Sequence, residues 1–246
     1  MDPAYYVAAG SLKARAYQLD TVANNLANSQ TVGYKAERSF FTVFNKAVHE
    51  GRGLPLSPFV NDGTIYPMKD ISFAQGPTKY TERSLDFAIE GNAFFRVETP
   101  QGLMLTRDGR FALGVDGRLE TLDGLPVLGK NGPITLRVDG GNPTVRQDGS
   151  IYQGDDFIGQ FDLRAFEDTS PLTRAGWGRF DQGAAREAPV AGRVVQGYLE
   201  QSSVDIAAMM VEMIRLNRLF EMSQKIAGTI TNDLDSRCIS SIAMGQ

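Results

Sequence analysis

Apolar and small residues recur with a seven-residue period near the start of the chain. The row of larger side chains is Tyr5, Leu12, Leu19 and Leu26. The row of small side chains is Ala9, Ala16 and Ala23, each four residues after one of the first three larger residues. This period is typical of an α-helix that packs along one stripe against another helix, with small residues at one row and larger ones at the other. The pattern stops near Asn28, and a helix is therefore predicted over 4–28. Because so few layers make a helix that is marginal alone, we expect it to need a partner.

The C-terminal end of the chain is again helical by pattern, and a helix is predicted over 204–236. Its stripe consists of Ile206, Met210, Met213, Phe220, Ala227 and Leu234, with the polar residues Asn217, Gln224 and Thr231 on the same side. Met209, Leu216 and other apolar residues lie outside this stripe, so more than one face of the helix is apolar. Two interpretations remain open: one face meets the N-terminal helix of the same chain while the other faces meet further neighbours, or the helix lies across a β domain of its own chain.

Between the two helical ends, short apolar runs alternate with Asp-Gly pairs. The pairs are Asp108-Gly109, Asp116-Gly117, Asp123-Gly124, Asp139-Gly140 and Asp148-Gly149. Asp-Gly supplies the positive φ angles of tight hairpin turns, so the spacing predicts a meander of short strands over 85–195. We interpret the aspartates as turn residues, since calcium loops need more acidic positions at alternating spacing.

These patterns predict an α+β fold. Terminal helices that form a coiled-coil-like assembly region flank a central, mostly antiparallel β domain. The predicted divisions are an N-terminal assembly helix with its following segment (1–35), a connector with one or two strands near Ile65 and Ile71 (36–80), a β-rich domain (81–196) and a C-terminal assembly helix (197–246).

Composition narrows the possible functions. Hydrophobic residues make up 42% of the sequence and charged residues 22%, with a net charge of −4, so we expect a folded chain and no nucleic-acid partner. One histidine and one cysteine make a transition-metal site hard to build, and no P-loop or Gly-x-Ser-x-Gly pattern occurs. We therefore expect no cofactor and no enzyme. The sequence also lacks a long apolar run and a cleavable signal pattern, so direct membrane insertion is not expected.

Three segments resemble the signature motifs of the flagellar axial proteins, the family of rod, hook and hook-associated proteins. The stretch 23–35, Ala-Asn-Asn-Leu-Ala-Asn-Ser-Gln-Thr-Val-Gly-Tyr-Lys, is similar to the N-terminal signature, with Tyr34 at the position of the usual phenylalanine. Segments 85–97 and 106–111 resemble the central motif, and 197–204 the C-terminal motif; Ala93 and Ser203 depart from the common glycine and asparagine. The resemblance covers nearly the whole chain.

The resemblance implies a structural subunit of the flagellar basal-body rod. Such a subunit leaves the cytoplasm through the flagellar type III export apparatus without a cleaved signal. It assembles with itself and with related axial subunits in the periplasm, where the rod transmits torque from motor to hook. Chain length and the compact connector favour the proximal type of rod protein over the distal type. A monomeric β-domain binding module is the alternative from a different functional class.

Candidate assembly residues come from the helix stripes and from the signature. They are Leu12, Leu19, Asn24, Asn25, Leu26, Asn28, Gly33, Tyr34, Met210, Met213 and Phe220. The leucines lie on the predicted seam, whereas the asparagines lie off it, where their amides can cap the helix end or bond the backbone as the chain turns at Gly33. Methionines suit irregular gaps between non-identical neighbours.

Overall fold

Two long helices enclose a series of short strands along the chain. The computed structural model describes residues 3–43, 65–137 and 139–243, and the side chains of 9–40, 69–137 and 139–229. The helices are α1 (Pro3–Ala27) and α2 (Ile206–Ala243). The strands are β1 (Glu37–Val43), β2 (Ile65–Ile71), β3 (Thr78–Tyr80), β4 (Phe87–Gly91), β5 (Phe94–Thr99), β6 (Gly102–Thr106), β7 (Phe111–Leu113), β8 (Leu119–Thr121), β9 (Leu128–Gly129), β10 (Gly132–Pro133), β11 (Thr144–Val145), β12 (Ser150–Gln153), β13 (Asp156–Gln160), β14 (Leu163–Phe166), β15 (Thr173–Gly176), β16 (Arg179–Asp181), β17 (Glu187–Ala188), β18 (Gly192–Gln196) and β19 (Tyr198–Glu200). This element order confirms the predicted α+β class.

The chain divides into two compact units. A helical unit contains residues 1–27, 37–70 and 205–246, and a β unit contains residues 28–36 and 71–204. Residues 44–64, which belong to the predicted connector, lie outside the described residues.

In the helical unit, α1 packs against α2 and also contacts β1, which pairs with β2. Among the described side chains of α1, those of Thr21, Val22 and Asn25 are buried, and the leucines at 12, 19 and 26 are half-buried. The alanine row at 9, 16 and 23 is exposed in the single chain, so these alanines do not form the face that α1 buries within its own unit. On a helix of 3.6 residues per turn, the buried face is centred near Val22 and the leucines lie along one edge of it. The alanines lie further round the helix on that same side, outside the buried face.

Helix α2 buries one narrow face and exposes apolar residues elsewhere. It begins at an N-cap formed by Asp205, whose carboxylate accepts the Ala208 N–H at 3.1 Å. Leu216, outside the predicted stripe, is the fully buried residue among the described α2 side chains, and Met213 and Phe220 beside it are half-buried. The exposed apolar side chains are Ile206, Met210, Val211, Ile214, Met222 and Ile226. The prediction of more than one apolar face is therefore confirmed.

The β unit is built around a six-stranded sheet in the order β15-β16-β6-β5-β14-β17, whose pairs are antiparallel. Strand β5 lies between two hydrophobic clusters, one containing Phe95 and Val97 and the other containing Phe94. Both of its faces are thus buried, which explains the unbroken apolar run at 93–95. The sheet order is not sequential, so the predicted simple meander is wrong. Turn residues determine only local hairpins, whereas packing of the two clusters determines the long-range pairs.

Three of the five Asp-Gly pairs form the predicted turns. Gly117, Gly124 and Gly149 have positive φ angles of 73°, 80° and 82°, and the turns at 117 and 149 join β7 to β8 and β11 to β12. At 139–140 the positive φ falls one residue later, on Gly141. The prediction is wrong for Gly109, which instead runs beside β4 and accepts the Phe87 N–H at 3.0 Å. A Cβ at Gly109 would lie 1.7 Å from the Phe87 carbonyl oxygen, so close backbone approach explains this glycine.

Candidate assembly site

The chain enters and leaves the β unit along two neighbouring segments, 28–36 and 197–204. Gly33 N–H donates to the Glu200 carbonyl at 2.8 Å, and Ser203 N–H donates to the Tyr34 carbonyl at 3.1 Å. The Ala36 N–H donates to the Ser203 hydroxyl at 3.0 Å. We call these two segments, together with residues 106–108 that pack on them, the motif junction. It ties the end of the N-terminal signature to the C-terminal motif.

A buried ionic cluster lies at the centre of the motif junction. The Lys35 ammonium is 2.5 Å from one carboxylate oxygen of Glu200, and an Arg107 guanidinium nitrogen is 3.1 Å from the other. The exposed fractions of these three side chains are 0%, 1% and 2%, so water does not screen their charges. Each residue comes from a different motif: N-terminal, central or C-terminal. The three motifs therefore meet at a single carboxylate.

Hydrogen bonds satisfy most of the remaining capacity of the cluster. Lys35 also donates to the Ala74 carbonyl at 2.8 Å, and Glu200 also accepts the Gly76 N–H at 2.9 Å. Arg107 donates to the Gly91 carbonyl at 2.7 Å and stacks 4.7 Å above the Phe94 ring. These bonds attach the junction to the loop before β3 and to the end of β4. The cluster thus connects backbone segments that lie far apart in the sequence.

Burial controls the ionisation of the two cations. Desolvation lowers the pKa of the Lys35 ammonium, the attraction of Glu200 opposes this shift, and the neighbouring Arg107 adds to it. Desolvation likewise lowers the pKa of Arg107, again opposed by Glu200. Two cations share one anion, so the carboxylate of Glu200 is the group on which the electrostatic balance of the junction depends.

The Gly-Tyr-Lys part of the signature is explained residue by residue. Gly33 has a φ of 68°, and a Cβ there would lie 2.6 Å from the Arg107 backbone carbonyl carbon, so any side chain would break the junction. Tyr34 is buried, and the Arg174 guanidinium stacks 4.5 Å from its ring. Arg174 also donates to the Lys35 carbonyl at 2.6 Å. This cation–π stack and hydrogen bond hold the signature against the hairpin of β15 and β16.

Asn25 performs the corresponding task in the helical unit. Its amide nitrogen donates to the Glu37 carbonyl at 2.7 Å, and its amide oxygen accepts the Glu37 N–H at 2.9 Å. The side chain thereby acts as a backbone pair that joins the end of α1 to the start of β1, as expected for an amide that bonds turning chain. The same nitrogen lies 4.0 Å from the Met209 sulfur on α2. One buried amide thus connects three elements of this unit.

The sequence-predicted residues fall into three groups by exposure. Asn25, Gly33 and Tyr34 are buried; Leu12, Leu19, Leu26, Asn28, Met213 and Phe220 are half-buried; Asn24 and Met210 are exposed. Gly33 and Tyr34 belong to the β unit with Asn28, and the others belong to the helical unit. Sequence reasoning missed Lys35, Arg107 and Glu200, although all three stand inside the motif segments. Their signal was a charged residue embedded in each motif, but nothing in the sequence shows that the three charges meet.

The helical pair and the motif junction together define a class of protein in which both chain ends form one helical unit and the β unit is inserted between them in the sequence. Within the described residues, no helix is long and apolar enough to cross a membrane. Three family models match: "Flagella basal body rod protein" over residues 6–35, "Flagellar hook protein FlgE/F/G D1 domain" over 88–153 and "Flagellar basal body rod FlgEFG protein C-terminal" over 195–236.

Named relatives agree with the family models. The flagellar basal-body rod protein FlgF of Mesorhizobium japonicum is 34% identical over 226 residues, which cover 90% of each chain. FlgF of Rhizobium meliloti is 36% identical over 230 residues, again 90% of each chain. The rod protein FlgG of Borreliella burgdorferi is 30% identical over 264 residues, covering 94% of this chain and 96% of that protein. The chain belongs to the flagellar basal-body rod protein family, and it is a structural component of the basal body and not an enzyme.

Proposed function

We propose that this chain is a subunit of the proximal rod that polymerises through its two terminal helices and transmits torque from the motor towards the hook. Its partners are further copies and related axial subunits, and the flagellar type III export apparatus delivers it without a cleaved signal. The family resemblance implies that the proximal type is rod protein F, so the FlgF relatives, which are 34% and 36% identical over 90% of this chain, support the proximal position.

One observation carries the proposal: α2 pairs with α1 through one face and leaves apolar residues exposed outside that face. Met210 and Ile214 lie about one third and just under one half of a turn round the helix from the buried Leu216, and the exposed Ile206 lies about a quarter of a turn away on the same side. Met210 is 51% exposed and Ile214 is 55% exposed. Covering a large apolar side chain stabilises a complex by about 1.5–3 kcal/mol, so several such residues favour association. We assign this face to contacts with neighbouring rod subunits.

The other predicted residues support assembly in two ways. The half-buried Leu12, Leu19 and Leu26 hold α1 in the helical unit and add partly exposed apolar surface. The buried Asn25, Gly33 and Tyr34 contribute indirectly, because they fix the backbone where the chain leaves α1 and enters the β unit. A shaft that resists torsion needs rigid subunits, and buried polar contacts of this kind restrict the backbone to one arrangement.

The test replaces the exposed apolar face by charge. In cells that lack the natural chain, Met210→Asp and Ile214→Asp are expected to abolish motility and to remove the chain from isolated basal bodies. The purified variants are expected to keep the helix content of the parent in circular dichroism, because both side chains already face solvent. Met210→Leu keeps the apolar surface and is the matched control, with normal motility expected.

A second control tests whether the effect is specific to the exposed apolar face of α2 or follows from adding a charge at any exposed apolar residue. Val115→Asp introduces the same charge at a fully exposed apolar residue in the turn between β7 and β8, and motility is expected to persist. Motile cells carrying Met210→Asp with Ile214→Asp, with normal amounts of the chain in basal bodies, would contradict the proposed role of α2.

The distal rod is the second candidate position. The observation in its favour is that the chain also matches a second type of rod protein, FlgG of Borreliella burgdorferi, over 94% of its length at 30% identity. The two positions differ in their neighbours along the rod, so the location of the chain in basal bodies distinguishes them.

A further inference from the structure

The tip of the hairpin formed by β15 and β16 presents a tryptophan to solvent. Trp177 is 86% exposed, and it is the only tryptophan in the sequence. Glycines stand on both sides of it, and a Cβ added at Gly176 or Gly178 would meet no atom within 4 Å. The indole therefore projects from an open tip and contributes little to the core of its own chain.

The backbone at this tip is unfavourable for a tryptophan. Trp177 has a φ of 50°, between glycines at 84° and 69°. Positive φ angles at hairpin tips favour glycine, asparagine or aspartate, and a bulky side chain there adds steric strain. Exposure alone is ordinary for a single apolar residue, but exposure combined with a strained backbone leads to the hypothesis of a contact outside its own chain.

The base of the same hairpin is firmly held. Arg174 bonds the Lys35 carbonyl and stacks on Tyr34, and Arg179 forms an ion pair with Asp123. Phe180 is completely buried in the second hydrophobic cluster. The tip is thus carried on a rigid base, so little conformational freedom is lost when its tryptophan binds a partner.

A cavity of about 410 Å³ on the same β unit has the chemistry to accept an indole. Its lining includes Glu90, Val145, Gln147, Arg193 and Tyr198. The Arg193 guanidinium offers a cation–π surface, and the Glu90 carboxylate, 2.5 Å from Arg193, offers an acceptor for the indole N–H. Val145 and the Tyr198 ring supply apolar walls.

We propose that Trp177 of one copy binds in this cavity of a second copy. Because the tip and the cavity are different surfaces, the contact is head-to-tail, and every copy carries both halves. A contact of this type repeats into an open filament and does not close into a two-fold dimer unless the rotation closes a ring. The inference rests on the proposed function as a rod subunit and adds to the helical contacts a specific contact between β units.

The single tryptophan makes the contact directly measurable by its fluorescence. In a concentration series of the purified full chain, the emission of Trp177 is expected to move to shorter wavelength and its quenching by iodide to fall as copies associate. Sedimentation on the same samples measures the association itself. Gln147→Phe fills the cavity and is expected to leave the indole exposed and to weaken association at least about tenfold, the effect of losing one interface hot spot.

Two further variants complete the test. Trp177→Ser is expected to weaken association as much as Gln147→Phe, whereas Val115→Ser, which removes another exposed apolar side chain, is expected to leave it unchanged. An indole that stays exposed in associated chains, or a chain that stays monomeric at millimolar concentration, would overturn the proposal. Motility of the Trp177→Ser strain then separates the two hypotheses: a motile strain with the chain in its basal bodies leaves the proposed function intact.

Discussion

Removing the charge of Glu200 is expected to be the most damaging conservative change in the β unit. Glu200→Gln keeps the size and one acceptor oxygen of the side chain, but it removes the anion that pairs with both Lys35 and Arg107. Both cations are at most 2% exposed and would then repel each other without compensation. Breaking a buried ion pair from one side costs about 3–5 kcal/mol. We expect a loss of that size in the free energy of unfolding.

Lys35→Met is the informative comparison. It removes one of the two cations with little change in length, and Glu200 stays paired with Arg107 and with the Gly76 N–H. The Ala74 carbonyl loses its donor, so the expected cost is about 1–3 kcal/mol, the cost of one unsatisfied buried polar group. The variant that leaves two like charges should therefore be less stable than the variant that leaves a neutral pair.

Urea unfolding of the purified chain, followed by the circular dichroism of the strands, measures both effects. The slope of free energy against urea should be unchanged if the folded β unit is the same in each variant. A Glu200→Gln variant that is as stable as Lys35→Met, or more stable, would refute the electrostatic account of the motif junction.

Two further predictions concern the separate units. A chain that ends at Val204 retains the whole β unit and the motif junction. Its strands are therefore expected to melt cooperatively, as in the full chain, while the helix content falls. Loss of the strand signal in circular dichroism would show that α2 is required for the β fold. Asn25→Ala removes both hydrogen bonds to Glu37 and is expected to cost about 1–3 kcal/mol of helical-unit stability, whereas Lys13→Ala, at an exposed residue of the same helix, should stay within about 0.5 kcal/mol. Thermal melting monitored at the helix signal compares the two variants, and equal losses would contradict the assignment.

The sequence predicted the elements of this fold better than their contacts. A seven-residue period identified α1, but it could not show that Val22 lies at the centre of the buried face while the alanine row faces solvent. The same period on α2 favoured Met210, whereas Leu216 is buried. Helical periodicity is a property of one element, but the choice of the buried face depends on its partner.

The candidate site shows the same division. Gly33 and Asn25 were recognisable from the signature, and their roles follow from a positive φ and from an amide that bonds backbone. The ionic cluster was not predictable, since Lys35 and Glu200 are 165 positions apart. The sequence does not give the spatial distance between charged residues in separate motifs, because that distance depends on how the intervening strands pair. Gly109 illustrates the converse: its Asp-Gly signal is strong, but backbone approach to Phe87 and not a turn explains it.

The central claim is that this chain is built into the proximal rod. The most direct measurement is electron microscopy of isolated basal bodies in which the chain carries a specific label at an exposed site of the β unit, such as a cysteine at Val115 in a Cys238→Ser background. We expect label on the rod near the membrane ring of the motor, in motile cells. Label confined to the end of the rod next to the hook would contradict the proximal position, and basal bodies without label would contradict the structural role itself.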